Sequence, residues 1–308
     1  MTHELSDAPP APPATRATPA AERGADPIAL AGGLIECRDT GDADRPTLVF
    51  VHGLLMDGTL WDGVVADLAV DHRCVVPTLP LGAHRHPMQA DADLSLRGVT
   101  HMLAELLDRL DLHDVTIVGN DTGGVLVQLI AASGSPRVAR IVLVSCDAFD
   151  NFPPGATGRT LFRTGKLPPA AFGMFMQQMR LRPVRRLPIA FGWLTKRGDA
   201  ATKRWMRPIL RQREVRRDVV RLLRAAAHER DVVRDVADRL ATFDRPALVV
   251  WATEDRVMPL DHGRRLAQLL PQGRLVEVAD SYTLVPLDQP EALARAIRTF
   301  TTTSTAEV

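Results

Sequence analysis

Cysteine, tyrosine and long apolar runs are scarce in this 308-residue chain, and each scarcity excludes something. The three cysteines, Cys37, Cys74 and Cys146, stand far apart and show no metal-ligand spacing. An odd number of scattered cysteines argues against a disulfide framework and favours a reducing cytoplasm, where we expect this protein to act. No apolar stretch is long enough to cross a bilayer, and the N-terminal residues, which include Glu4 and Asp7, lack the apolar segment of a secretory signal.

Motifs for cofactors are also missing from the sequence. It contains no nucleotide-binding loop, no metal motif and no cofactor fingerprint. We therefore expect no cofactor and no bound metal, and a small-molecule substrate rather than a nucleic acid or membrane partner. A homodimer remains an open alternative.

Charge is balanced over the whole chain but not along it. The 38 Lys+Arg nearly match the 37 Asp+Glu, yet residues 151–240 hold 18 Arg and 3 Lys against 7 acidic residues. This segment therefore carries 14 excess positive charges, and the remainder of the chain is acidic. Such a segment favours either an anionic ligand or, more simply, a basic layer lying on an acidic body with solvated Arg-rich helix faces.

The chain divides into five parts by composition. Residues 1–26 are rich in Ala, Pro and Thr and predict a disordered tail, and residues 303–308 predict a second tail. Residues 27–150 and 241–302 alternate short β-rich runs with helical patterns, which predicts one α/β domain. Residues 151–240 contain no convincing strand and predict a helical insertion that covers the strand ends as a lid.

The β-rich runs are apolar at consecutive positions, as in strands buried on both faces. The predicted strands are Gly33–Arg38, Thr47–Val51, Arg73–Val76, Asp114–Val118, Arg140–Ser145, Ala247–Trp251 and Arg274–Val278. The predicted helices between them are Leu60–Ala69, Leu94–Leu110, Val125–Ala132, His262–Leu270 and Pro290–Phe300. This alternation predicts a mostly parallel sheet with helices on both faces, and ligands then bind beyond the carboxyl ends of the strands.

The segment from Gly119 to Gly124, Gly-Asn-Asp-Thr-Gly-Gly, follows one predicted strand and precedes a predicted helix. A sharp turn with small flanking residues in this context is typical of a nucleophile elbow, with Asp121 at its apex. A carboxylate in this place attacks carbon to form an ester on the protein, which must then be hydrolysed.

With this turn, the alternating strands and the insertion, the chain resembles the α/β-hydrolase family. A strand ending in His52-Gly53 is similar to the family's oxyanion turn, and the resemblance implies backbone donors at Leu54 and Thr122. The segment from Trp251 to Pro259 is similar to the family's strand-then-acid motif and places Asp255 at the acid of the catalytic triad.

An apical aspartate resembles the haloalkane dehalogenase and epoxide hydrolase branches, but the chain departs from both. Thr122 and Leu54 stand where dehalogenases carry Trp and Asn, and the single tyrosine, Tyr282, lies outside the insertion that carries the epoxide-polarising tyrosines. The family's catalytic histidine aligns with Thr283, whose hydroxyl cannot take a proton from water as an imidazole does.

Other residues are candidates for the missing roles. Asp147 ends another strand and is either a site acid or a turn former, and Asp121, Asp147 and Asp255 together raise the remote alternative of a divalent cation. His84, His86 and His228 are candidate surrogate bases, although each is more often an ordinary surface or loop residue.

The sequence thus predicts a hydrolase acting on a small, partly apolar organic molecule of ester, epoxide or halide type. Asp121 is its nucleophile, or acts as a base on bound water. The absent histidine leaves two alternatives: a lyase or isomerase that uses Asp121 for proton transfer, or a catalytically silent ligand-binding protein.

Overall fold

Residues 27–305 are described by this computed structural model, with side chains through residue 303. The tail predicted for residues 1–26 lies outside the described residues. The second predicted tail begins inside a helix that continues through Thr305, because the run of hydroxyl residues after Phe300 bonds its side chains back to the preceding helical turn.

An eight-stranded sheet forms the centre of the described part of the chain. Its strands are β1 Pro27–Leu30, β2 Gly33–Asp39, β3 Thr47–Val51, β4 Arg73–Thr78, β5 Val115–Asp121, β6 Val138–Cys146, β7 Ala247–Ala252 and β8 Gly273–Val278. The strand order is β1-β2-β4-β3-β5-β6-β7-β8. β1 and β2 are antiparallel to their neighbours and every other pairing is parallel.

Helices cover both faces of the sheet, which confirms the predicted fold class. In chain order, the α-helices of the described residues are α1 Asp62–Leu68, α2 Leu96–Arg109, α3 Thr122–Ala132, α4 Gly155–Thr164, α5 Pro169–Met176, α6 Arg182–Arg185, α7 Asp199–Arg211, α8 Arg213–Ala227, α9 Arg230–Leu240, α10 Leu260–Leu269, α11 Val285–Asp288 and α12 Pro290–Thr305. α1 packs against α12, while α3 packs between α2 and α9.

The central strands are buried on both faces, as their continuous Val, Ile and Leu predicted. Every residue of β5 and of β7 is buried. Burying these side chains contributes about 1.5–3 kcal/mol for each large aliphatic residue. Because β3 and β5 are adjacent and Val51 lies opposite Gly119, the segments that follow these two strands meet at the same edge of the sheet.

The basic insertion between β6 and β7 contains α4 to α9 and shows no strand. Its last helix, α9, packs against α3, and Arg239 donates a hydrogen bond to the carbonyl of Ala132. The apolar face of α9 recurs at helical spacing in Val233, Val236, Ala237 and Leu240, all of which are buried. α9 is therefore part of the helix layer of the sheet, although the sequence grouped it with the lid.

Candidate active site

Asp121 is the last residue of β5 and precedes α3 directly. Its backbone angles are φ 56° and ψ −132°, a conformation that costs roughly 1–3 kcal/mol for a residue with a side chain. The turn closes tightly because Gly123 has no Cβ. A Cβ there would collide with the backbone oxygens of Val51 and His52. The strand continues three residues beyond the predicted end, so the turn is sharper than the sequence indicated.

The Asp121 carboxylate is held through one of its two oxygens. Oδ1 accepts hydrogen bonds from the backbone N–H of Leu54 at 3.1 Å and of Thr122 at 2.7 Å. These are the two donors that the sequence proposed for an oxyanion hole. Burial raises the pKa of Asp121, and the two N–H groups oppose that rise. Oδ2 therefore accepts a hydrogen bond from neither of these two amides.

His52 fixes the turn that presents the Leu54 N–H. Its Nε2 accepts a hydrogen bond of 3.0 Å from the backbone N–H of Leu79, so Nδ1 carries the proton and donates to the Gly53 carbonyl at 2.9 Å. Burial lowers the pKa of His52 to about 4, which keeps the ring neutral. The imidazole thus orients the backbone and has no free nitrogen for proton transfer.

Asp147 is fully buried behind the turn. Its Oδ2 accepts a hydrogen bond of 3.2 Å from the Thr122 hydroxyl, and within residues 27–303 its Oδ1 has no partner. Burial raises the pKa of Asp147 well above the ordinary value, and the nearby charge of Asp121 adds to the rise. Burial of a carboxyl disfavours its charged form, so Thr122 connects Asp121 to a carboxyl whose pKa is raised.

Asp255 and Thr283 are brought into contact, although 28 positions separate them in sequence. Asp255 Oδ1 accepts from the Thr283 hydroxyl at 2.8 Å and from the backbone N–H groups of Val257 and Met258 at 2.9 Å each. Its Oδ2 has no partner within the described part of the chain. Burial raises the pKa of Asp255 to about 6. The acid is therefore held by a hydroxyl and two amides, with no imidazole among the partners.

The three predicted surrogate bases have other surroundings. His84 is buried with Nε2 3.6 Å from Asp218 Oδ2, and His86 is 3.6 Å from Glu36. His228 is exposed just after α8. None of the three lines the cavity that contains Asp121.

That cavity has a volume of about 170 Å³ and is predominantly apolar. Asp121, Thr122 and Leu54 form its floor. The basic insertion supplies its walls, chiefly Leu161, Phe162, Phe175, Met176, Met179, Val184, Leu187, Ile189, Phe191 and Leu194. Among the other aromatic and methionine side chains of the insertion, Phe172, Met174 and Trp193 do not line the cavity.

Sequence reasoning missed the polar groups of the cavity wall. Thr160 of α4 and Gln178, which follows α5, both line it and supply hydrogen-bonding groups to a ligand. No signal in the sequence identified them, because their direction depends on how the short helices of the insertion pack against one another.

The three site carboxylates do not form a metal site. Among the described residues, no three His, Cys, Asp or Glu side chains are grouped closely enough to hold a metal ion. The arrangement of Asp121, Asp147 and Asp255 therefore gives the divalent-cation alternative no support. The same residues contain no helix with the length and apolarity needed to span a bilayer.

Similar proteins catalyse several different reactions. The chain is 26% identical over 247 residues to a 2-hydroxy-6-oxononadienedioate/2-hydroxy-6-oxononatrienedioate hydrolase of Cupriavidus pinatubonensis, covering 78% of this chain and 81% of that one. It is 24% identical to a cis-3-alkyl-4-alkyloxetan-2-one decarboxylase of Shewanella oneidensis, covering 83% and 81%. A crystal structure of a proposed ancestral haloalkane dehalogenase superposes with a TM-score of 0.72 at 20% identity, covering 91% of this chain and 99% of the other.

The family match extends across most of the chain. Residues 46–290, from the approach to β3 to the start of α12, match the alpha/beta hydrolase fold family. This range includes the oxyanion turn, the Asp121 turn, the insertion and the Asp255–Thr283 contact. The chain therefore belongs to the α/β-hydrolase fold family.

Proposed function

We propose that this protein hydrolyses a small, largely apolar organic molecule by attack of Asp121 on a saturated carbon, as in opening an epoxide or displacing a halide. The observation that carries the proposal is the position of the Asp121 carboxylate. It lies at the floor of an apolar cavity, with Oδ1 held by the Leu54 and Thr122 amides. A relative named as a hydrolase supports the reaction class, and a relative named as a decarboxylase supports a second candidate considered below.

Occupation of the two amides by Oδ1 distinguishes among the predicted substrates. An enzyme that attacks an ester carbonyl needs these donors for the oxyanion of the substrate. Here they already bind the protein's own carboxylate. Attack on a saturated carbon produces no oxyanion on the substrate carbonyl, so the arrangement favours epoxides and alkyl halides over esters.

The same donors serve the second half of such a reaction. Oδ2 forms a bond to the substrate carbon while the carbon–halogen bond or the epoxide carbon–oxygen bond breaks. A halide leaves with the electron pair, whereas the epoxide oxygen keeps the pair, stays on the product and takes a proton from solvent. Both routes create an alkyl ester with Oδ1 as its carbonyl oxygen. When water adds to Cγ of this ester and releases a proton to solvent, negative charge develops on Oδ1. The Leu54 and Thr122 N–H groups stabilise that charge, and collapse of the intermediate releases the alcohol and restores the carboxylate.

Water activation is the step without an assigned imidazole. Thr283 stands at the aligned histidine position, and His84, His86 and His228 do not line the cavity. We therefore expect ester hydrolysis to be slower than ester formation, so that the covalent intermediate accumulates.

A second candidate function rests on the raised pKa of Asp121. A buried carboxylate whose pKa is raised is a stronger base than an exposed one, and proton abstraction leaves no ester to hydrolyse. A lyase or isomerase reaction is thus compatible with the Asp255–Thr283 pair, which replaces the acid–imidazole pair of a hydrolase.

Mass spectrometry separates these functions. The protein is incubated with panels of terminal epoxides, primary alkyl bromides and short esters, and the peptide containing Asp121 is examined for an added alkyl or acyl group. Turnover in H₂¹⁸O adds a second criterion, because nucleophilic attack transfers ¹⁸O into Asp121 whereas general-base catalysis transfers it directly into the product.

Asp121→Asn is the control for both readouts and should abolish adduct and label. Turnover without adduct or label on Asp121 would favour the proton-transfer function. Turnover that survives Asp121→Asn would sink both proposals, and ligand binding without turnover would indicate the silent alternative. Thr283→His tests the missing base, because the new imidazole should speed release of an accumulated ester.

A further inference from the structure

A groove on the outer side of the insertion, with a volume of about 390 Å³, is lined by cations. It is formed by the end of α4, the turn after it, the end of α8 and the start of α9. We define the basic groove by the five cations Arg159, Arg163, Lys166, Arg224 and Arg230, and exposed His228 lies beside them. Among the residues that the structure describes, no Asp or Glu lines this groove.

At one edge of the insertion, positive charge is neutralised by acidic residues of the body. Lys196 pairs with Glu254 at 2.8 Å and with Asp280 at 3.0 Å, and Arg197 pairs with Asp280 as well. On this side of the insertion, the structure agrees with the simpler interpretation, in which a basic layer lies on an acidic body.

In the basic groove that explanation fails. Within residues 27–303, the side chains of Arg159, Arg163, Lys166 and Arg230 form no ion pair and no hydrogen bond. The neighbouring acid, Glu229, is buried and turned away, with Oε2 accepting a hydrogen bond of 2.6 Å from the backbone N–H of Leu96. The groove thus collects positive charge that no acid of the described chain offsets.

The local helix geometry does not favour placing these cations close together. Arg159 and Arg163 are one helical turn apart on α4, where like charges repel each other. Arg230 is the first residue of α9, at the helix end where the dipole disfavours a cation. Arg224, in contrast, is fixed in place by hydrogen bonds to the carbonyls of Gly165 at 3.0 Å and Leu167 at 3.1 Å.

We propose that the basic groove is a binding site for a phosphate-bearing ligand, separate from the cavity that contains Asp121. Several guanidinium groups around one concavity match the oxygens of a phosphate, and arginine binds such groups through paired N–H donors. An occupying anion removes the mutual repulsion of Arg159 and Arg163. Phe162 lies between the two sites and lines both, so the ligand would contact the wall of the cavity.

Binding of inorganic pyrophosphate, measured by titration calorimetry at low ionic strength, tests the proposal. The groove variant is Arg163→Gln, Lys166→Gln and Arg230→Gln combined. The matched control is Lys203→Gln, Arg207→Gln and Arg211→Gln, which removes the same charge from exposed positions of α7 on the same insertion. All six side chains are exposed, so both variants should fold, as circular dichroism can verify.

The groove variant should bind pyrophosphate at least tenfold more weakly than the parent protein, while the control should retain the parent affinity. Equal weakening in both variants would show a general charge effect and overturn the proposal. The phosphate can come from a soluble ligand or from a lipid headgroup, and flotation with phosphatidate vesicles, against neutral vesicles, distinguishes them.

Pyrophosphate binding without flotation identifies a soluble ligand, whereas groove-dependent flotation identifies a headgroup. Absence of both would also overturn the proposal. These measurements require no turnover, so their outcome is independent of the reaction assigned to Asp121.

Discussion

The Thr283 hydroxyl donates a hydrogen bond of 2.8 Å to Oδ1 of the half-buried Asp255. In the family resemblance, Thr283 aligns with the catalytic histidine and Asp255 with the acid that would orient it. The contact between the two positions is therefore present, but its donor is a hydroxyl. The carbonyl of Thr283 also accepts a hydrogen bond of 2.8 Å from the Asn120 side chain, which ties this loop to the residue before Asp121.

Thr283→Val should destabilise the protein by about 2 kcal/mol at pH 8, because a hydrogen bond to a charged carboxylate contributes roughly 1.5–3 kcal/mol. At pH 5 the loss should be smaller, since Asp255, with a pKa of about 6, is then mostly protonated. Urea unfolding at the two pH values measures the difference. Thr283→Ser keeps the hydroxyl and is the control; an equal loss at both pH values would contradict the assignment.

Asp255→Asn should remove the part of the pH dependence of the unfolding free energy that comes from this carboxyl. Because burial raises the pKa of Asp255 from 3.8 to about 6, the folded state binds more protons than the unfolded state between these values. Stability contributed by the group therefore falls as pH rises through this window and is constant above it.

The expected change is on the order of 3 kcal/mol, from about 1.4 kcal/mol for each pKa unit. It is read from the difference in unfolding free energy between Asp255→Asn and the parent protein at pH 4, 5, 6 and 7. The parent should lose stability relative to the variant across this range. A difference that stays constant with pH would refute the raised pKa.

Asp121→Asn should separate stability from activity. The amide oxygen of Asn still accepts hydrogen bonds from the backbone N–H groups of Leu54 and Thr122. The variant no longer buries a carboxyl whose pKa is raised by burial. We expect a higher melting temperature at pH 8 and a loss of activity of at least about 100-fold. Asp150→Asn removes a charge from an exposed side chain and is the control. A lower melting temperature for Asp121→Asn would count against the account of burial.

Gly123→Ala should disrupt the turn itself. The added methyl group would collide with the backbone oxygens of Val51 and His52, and overpacking of this kind costs about 1–3 kcal/mol. We expect a lower melting temperature together with loss of any adduct on Asp121. Thr122→Ser keeps both the backbone donor and the hydroxyl, and should resemble the parent protein. Retention of full stability by Gly123→Ala would indicate a wider turn.

The order of strands and helices could be predicted from local pattern, because strands buried on both faces require consecutive apolar residues. The predicted strands end where this apolar pattern ends. β5 continues through Gly119, Asn120 and Asp121, which are poor strand formers, because these residues pair with Leu143, Val144 and Cys146 of β6. The short strand β1 was missed for a related reason: its only strong support is its antiparallel pairing with β2.

For the candidate site, local sequence identified the residues but not their contacts. It predicted Asp121, Leu54 and Thr122 as parts of one site, and the structure joins them by hydrogen bonds. Local sequence offered His84, His86 and His228 as surrogate bases. The packing of loops and helices decides that none of them lines the cavity that contains Asp121. Local sequence placed Thr283 by alignment, yet the bond to Asp255 requires the loops after β7 and β8 to meet.

The α/β architecture and the small-residue turn that bears an aspartate follow from local sequence, because both depend on residues close together along the chain. Contacts between distant segments establish which carboxylate oxygen is held, what surrounds the cavity and which arginines of the described residues lack acidic partners. Leu54 and Asp121 are 67 positions apart and meet because β3 and β5 pair in parallel, so that the ends of the two strands lie side by side.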